Sequence, residues 1–150
     1  MTVLLIAIAV ALVAVAAWIW WHRRESDRRL VEAHSIVAEE LHRLLAAEKR
    51  PRVFDVRQPL DLLAYSEIIP GSERIAPKEI LAGRVLIPKD EVSIVYCTCP
   101  GDETAREIVK RALALDFAKI RILKGGLAAW KEKGYPVERY ETAFHLDTPV

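Results

Sequence analysis

The stretch from Val92 to Leu113 constrains the fold more than any other part of the chain. Val92–Tyr96 is a short β-branched run that ends at Cys97, and the loop that follows also carries Cys99. Ala105, Ile108, Val109, Ala112 and Leu113 then recur at i, i+3, i+4, i+7 and i+8, the apolar stripe of a helix. Thr104 and Glu107 have the spacing of a capping box, which predicts a helix N-terminus at Thr104. A thiol placed between a strand end and a helix start meets free backbone N–H groups and the positive end of the helix dipole. That setting favours thiolate, the nucleophilic form of cysteine.

The rest of the chain repeats the strand–helix alternation. Ser35–Val37, Arg52–Val56, Glu73–Ile75 and Lys119–Leu123 read as strands, with Val53 and Phe54 buried. Ala38–Glu48 reads as a helix with Leu41, Leu44 and Leu45 on one face; Leu60–Tyr65 reads as a short apolar turn of helix or loop, and Pro77–Leu81 starts like a helix, with proline at an early position. Leu127–Lys133 is a helix with Trp130 on its inner face, stopped by Gly134 and Pro136. The pattern predicts an α/β fold: a central parallel sheet of about five strands with helices on both faces. Ligands of such sheets sit beyond the carboxyl ends of the strands. Cys97 lies at one such end, and Asp55 and Arg57 at another.

Val3–Trp21 is an unbroken run of 19 apolar residues. At ~1.5 Å per residue it matches the ~30 Å hydrocarbon core of a bilayer. Met1-Thr2 carries no side-chain charge, and the run ends in Trp18, Trp20 and Trp21, which suits an interfacial belt and not a signal-peptide cleavage site. The expectation is a transmembrane helix over 3–21, a juxtamembrane linker over 22–34, a domain over 35–139 and a tail over 140–150. Arg23, Arg24, Arg28 and Arg29 follow the run, so the positive-inside rule puts the domain on the cytoplasmic side of a plasma or inner membrane, as a single-pass protein. With Glu25 and Asp27 among them, these arginines read as a stop-transfer flank and not as a lipid-recognition site.

A net charge of +1, with no basic cluster interleaved with aromatics outside the membrane flank, argues against nucleic acid. The two cysteines stand two positions apart. They build no disulfide framework, though a Cys-x-Cys pair can close a strained, labile disulfide. A metal centre needs about four ligands; the cysteines supply two, and His22, His34, His42 and His145 lie far off in sequence, so no metal is expected and no cofactor is implied. Asp55 and Arg57 read as a structural ion pair holding the crevice, with Arg57 orienting the loop. Arg106, one turn into the helix, reads as a surface residue, with an anion contact as the sharper option. Asp102 and Glu103 suit the first helical turn, pointing to solvent. Gly125-Gly126 reads as a backbone demand: a turn, or a close approach to the cysteine loop.

Four segments together resemble the rhodanese-like sulfurtransferase family: Phe54-Asp55-Val56-Arg57; Ile69-Pro70-Gly71-Ser72 with Ile75; Tyr96-Cys97 at a strand end before a helix; and Leu123-Lys124-Gly125-Gly126-Leu127-Ala128-Ala129-Trp130 with Gly134-Tyr135-Pro136-Val137. The match runs from about residue 35 to 139. It implies a three-layer rhodanese-like domain in which a cysteine accepts sulfane sulfur from a donor, becomes a persulfide and passes the sulfur to a thiophilic acceptor, a small molecule or a protein thiol. The implied nucleophile is Cys97 or Cys99. The strand-end Tyr-Cys favours Cys97, and the distance to Asp116-Phe117 favours Cys99. The implied substrate cradle is Thr98, Pro100, Gly101, Asp102, Glu103 and Thr104, with Arg106, Asp55 and Arg57 around it. The chain departs from the family where Gly-His often precedes Ile-Pro-Gly, since Glu67 and Ile68 stand there, and where its loop carries two acids. Those departures motivate two alternatives: a catalytically silent binding or scaffold module, and a phosphatase or arsenate reductase on the same fold.

Overall fold

The computed structural model describes residues 2–83, 87–98 and 100–141, without the side chains of residues 2–5, 7 and 100. The chain divides into two units, Met1–Ala33 and His34–Val150. The first is one helix, α1 (Thr2–Ala33). As far as Trp21 its described apolar side chains, Val10, Leu12, Val13, Trp18 and Trp20 among them, are exposed. Polar contacts begin where the charges begin: Arg24 lies over the Trp20 ring and Arg29 pairs with Glu25 one turn back. The expected linker over 22–34 is a continuation of this helix. The expected transmembrane span over 3–21 is not reproduced: among the described residues, no helix is long and apolar enough to cross a membrane. Part of the apolar run falls on residues whose side chains are not described, and the remainder of α1 soon meets the charges that start at Arg23.

The second unit is built on a five-stranded parallel sheet. Its strands are β1 (Ser35–Ile36), β2 (Arg52–Asp55), β4 (Glu73–Arg74), β5 (Ser93–Tyr96) and β6 (Ile120–Leu123), in the order β1-β6-β5-β2-β4. Every pairing in it is parallel. The central strand β5 is buried along its whole length, as a strand covered on both faces must be, which is why it reads as an apolar run without alternation. Helices α2 (Ala38–Leu45) and α6 (Gly126–Glu132) pack together, with Leu41, Leu127 and Trp130 against Val53, Ile94 and Leu123 of the sheet. The amphipathic helix α5 (Glu103–Leu113), joined by α4 (Pro77–Leu81), packs with β5 and β6 and buries Ala105, Ile108, Val109 and Ala112. A short helix α3 (Pro59–Ala64) follows β2.

A second, two-stranded antiparallel sheet joins β3 (Glu67–Ile68) to β7 (Glu138–Arg139). Neither strand is foreseen from sequence, because two-residue strands carry no periodicity. This pairing folds the end of the domain back over the residues after α3. It is reinforced where the Tyr140 N–H donates to the Ser66 carbonyl at 2.7 Å. Trp130 is 1% exposed, yet its indole N–H reaches the Pro136 carbonyl at 2.7 Å, so the largest core side chain is buried without an orphaned donor. Tyr140 is therefore held in place; of the expected tail over 140–150, residues 142–150 lie outside the described residues.

Candidate functional site

The loop between β5 and α5 leaves the middle of the sheet at its carboxyl edge. Cys97, its first residue, is only 1% exposed. The Cys97 carbonyl accepts the Leu127 N–H at 3.2 Å, at the start of α6. Gly126, with φ +52°, sits so close that a Cβ there would lie 1.9 Å from the Cys97 oxygen. Only a residue without a side chain permits this approach, which is the close contact expected of Gly125-Gly126. Cys97 is thus buried where the end of β5 meets the start of α6. Cys99 lies outside the described residues.

The predicted capping box is also corrected. A short 3-10 turn spans Pro100–Asp102, with Gly101 at φ 68° and Asp102 at φ 56°, both left-handed. Aspartate is among the few non-glycine residues that adopt this region with little strain. Helix α5 thus begins at Glu103, one residue before Thr104, and Asp102 stands at its N-cap without capping it. The Asp102 carboxylate instead accepts the Gly125 N–H at 2.9 Å. Asp102 does not point to solvent, as expected, but is half-buried and ties the loop to the turn before α6. Burial raises its pKa above the ordinary carboxylate value, opposed by the Gly125 N–H and the positive charge of Arg106. Glu103 is exposed, and Thr98 and Thr104 are half-buried. Arg106 leans back on the loop, with one guanidinium nitrogen 3.5 Å from the Gly101 carbonyl.

Asp55 and Arg57 occupy the end of the neighbouring strand and are 0% exposed. The Arg57 Nε lies 2.9 Å from both Asp55 oxygens and Nη2 lies 2.5 Å from Oδ2. The other guanidinium hydrogens go to main chain: Nη1 to the Tyr65 carbonyl and Nη2 to the Glu67 carbonyl, each at 2.8 Å. The Tyr96 hydroxyl donates to Asp55 Oδ2 at 3.2 Å and accepts the Ile69 N–H at 3.2 Å, with the Ser72 hydroxyl 3.1 Å away. Burial first, and the Asp55 carboxylate second, push the Tyr96 phenol well above its usual pKa. It stays a neutral donor throughout the physiological range. These contacts make Asp55, Arg57 and Tyr96 one satisfied cluster that fixes the segment from Tyr65 to Ser72 against the strand ends. The Asp55 and Arg57 side chains are closed off from solvent.

Between that segment and α6 lies a cavity of about 370 Å3, lined by Tyr65, Glu67, Thr98, Leu127, Ala128 and Lys131. Thr98 brings the cysteine loop to its wall. Lys131 forms an ion pair with Glu67 across it. Neither residue is legible as part of a site in sequence, since 64 positions separate them; Glu67 is flagged only as a departure at the place where Gly-His is often found. Among the described residues no cluster of His, Cys, Asp and Glu could hold a metal ion.

The model of the rhodanese-like domain matches residues 37–133. A rhodanese-related protein from Thermoplasma volcanium is 30% identical, with 70% of this chain and 97% of that one covered and a TM-score of 0.58. The rhodanese-like domain of a protein from Anabaena sp. is 26% identical over 78% of this chain and 85% of that one, with a TM-score of 0.58. A Rhodopseudomonas palustris protein of unknown function, described as a possible tyrosine phosphatase, shares the fold at 18% identity over 75% of this chain and 93% of that one, with a TM-score of 0.55. No curated protein matches the sequence significantly.

Proposed function

The chain belongs to the rhodanese-like domain family, and from that premise we propose that it is a sulfurtransferase carrying sulfane sulfur as a cysteine persulfide. The observation that supports this most is the loop bearing both thiols, set between the central strand and the N-terminus of α5 and bordering the cavity through Thr98. An anion there is favoured by the helix dipole. In the reaction an enzyme thiolate attacks the outer sulfur of the donor. The donor's S–S bond breaks, its electron pair leaves on the donor residue, and the enzyme holds Cys–S–S⁻. A thiophilic acceptor then attacks the terminal sulfur and restores the thiolate, so no external oxidant or reductant is consumed.

The thiol that meets the donor is assigned to Cys99, and Cys97 is its enclosed partner. Two observations support this: Cys97 is 1% exposed, and the count to Asp116-Phe117 favours Cys99. The test is mass spectrometry after incubation with a sulfane-sulfur donor. A gain of one sulfur atom should map to Cys99, persist in Cys97→Ser and vanish in Cys99→Ser; the reverse pattern returns the role to Cys97. Full sulfur transfer to cyanide by a variant with both cysteines changed to serine would end the reading.

The enclosure of Cys97 also supports the second reading, a silent binding module. An ordinary thiol pKa near ~8.5 at both cysteines, with no persulfide formed, would establish it. The phosphatase or arsenate reductase reading has less support, because the loop that would have to cradle an oxyanion carries two acids, Asp102 and Glu103.

The domain is further proposed to be tethered to a plasma or inner membrane by α1, facing the cytoplasm. The support is the run Val3–Trp21 and the exposure of its described apolar side chains, 61% for Trp18 and 60% for Trp21. A helix apolar on all sides needs an apolar surrounding. Fractionation checks it: the full chain should stay with membranes through a high-salt alkaline wash, and its recovery in the soluble fraction would refute the tether.

A further inference from the structure

Resting on the sulfurtransferase reading, we propose that Glu67 and Lys131 select the donor, and that the donor is a small zwitterionic persulfide: an α-amino acid whose side-chain thiol carries the sulfane sulfur. Both residues line the cavity that Thr98 joins to the cysteine loop, and among the described residues of its lining they are the charged ones. Tyr65, Leu127, Ala128 and Thr98 complete the wall. The cavity is about 370 Å3, the low end of ligand-pocket sizes. Its described lining thus presents one acid and one base to an amino-acid-sized guest.

That charge balance separates donor classes. Thiosulfate, a dianion, meets a single lysine already neutralised by Glu67. A donor bearing only a carboxylate can pair with Lys131 only by leaving Glu67 unpaired beside it. A zwitterion alone replaces both halves of the ion pair, its carboxylate on Lys131 and its ammonium on Glu67. Opening the pair costs little, because the two side chains are 45% and 42% exposed and such pairs are weak in water. The positions of the two charges are nonetheless set by the scaffold. The Glu67 carbonyl is held by buried Arg57, and β3 pairs with β7 on its other side. Lys131 rides on α6, whose first turn is bonded to the Cys97 carbonyl through Leu127. Two separate elements therefore fix the guest's head group relative to the thiol loop.

The step is balanced: enzyme thiolate and R–S–S–H give enzyme–S–S–H and R–S⁻, where R–S⁻ is the amino-acid thiolate released from the cavity. The test uses the full chain in detergent, with the wild type, Glu67→Gln and Lys131→Gln. Four donors are compared for sulfur transfer to cyanide: cysteine persulfide, the persulfides of 3-mercaptopropionate and of cysteamine, and thiosulfate. The wild type should show its highest kcat/KM with cysteine persulfide. Glu67→Gln should lower that value about fivefold, and raise those for 3-mercaptopropionate persulfide and thiosulfate by a similar factor, mainly through KM. Lys131→Gln should weaken the two carboxylate-bearing persulfides and spare the cysteamine one. Equal donor ratios in the wild type and Glu67→Gln overturn the donor assignment while leaving sulfur transfer intact. No transfer from any donor by the wild type overturns both.

Discussion

Asp55–Arg57 and Glu67–Lys131 are both carboxylate–cation pairs, and a single guanidinium links them, since Arg57 also donates to the Glu67 carbonyl. Their surroundings differ entirely. The first pair is 0% exposed on both sides, with its donors distributed over one carboxylate and two main-chain carbonyls. The second stands nearly half in water. The contrast shows how burial converts the same chemistry into different roles. A sealed pair becomes indispensable, because losing one partner strands a charge away from solvent. An open pair is weak enough to exchange its partner for a ligand. The crevice thus has a rigid floor and a changeable rim, made from the same two types of ion.

The sharpest way to break that contrast is Arg57→Leu. It strands Asp55 and orphans the carbonyls of Tyr65 and Glu67, and should cost about 3–5 kcal/mol in urea unfolding. A loss as small as that of a rim substitution would erase the distinction. Gly126→Ala tests enclosure without charge. With a Cβ contact of 1.9 Å to relieve, α6 must shift off the loop, and a loss of about 1–3 kcal/mol is expected, together with faster alkylation of Cys97 by a thiol reagent.

Asp102 is the intermediate case, half-buried and tied to Gly125. Asp102→Ala should cost about 1 kcal/mol through the lost acceptor. Asp102→Asn keeps an acceptor and tolerates the left-handed backbone. Because burial raises the folded-state pKa of Asp102, the folded state binds its proton more tightly than the unfolded one. The contribution is most favourable below the ordinary carboxylate value and declines as pH rises through the raised pKa. Asparagine should remove that decline, which thermal melts across the acid range would register as a flatter profile. The smallest effect is expected of Glu67→Gln: within about 1 kcal/mol in stability, even as donor preference changes.

What could be read in advance follows the same division between near and far. Asp55 and Arg57 stand two positions apart at a strand end, so their pairing was legible, as were the five parallel strands and the buried face of α5. The start of α5 is not legible in the same way: Thr104 and Glu107 have capping spacing, while the left-handed Gly101 and Asp102 decide where the helix begins. The Asp102 partner is Gly125, 23 positions away, and no local pattern encodes that contact. The Tyr96 side chain was legible as a strand end but not as the donor to Asp55. Lys131 looks in sequence like any solvent-facing lysine on a short helix, and only the return of β7 onto β3 shows that its neighbour is Glu67.

That return carries a practical consequence for anyone trimming the gene. The family match stops at residue 133, but the Pro136 carbonyl that receives the Trp130 indole, the strand Glu138–Arg139 and the Tyr140 amide all come later. A fragment cut at the end of the match would lose the strand that pairs with Glu67–Ile68 and would leave the buried Trp130 indole without its acceptor. Expression boundaries for this protein belong beyond Tyr140.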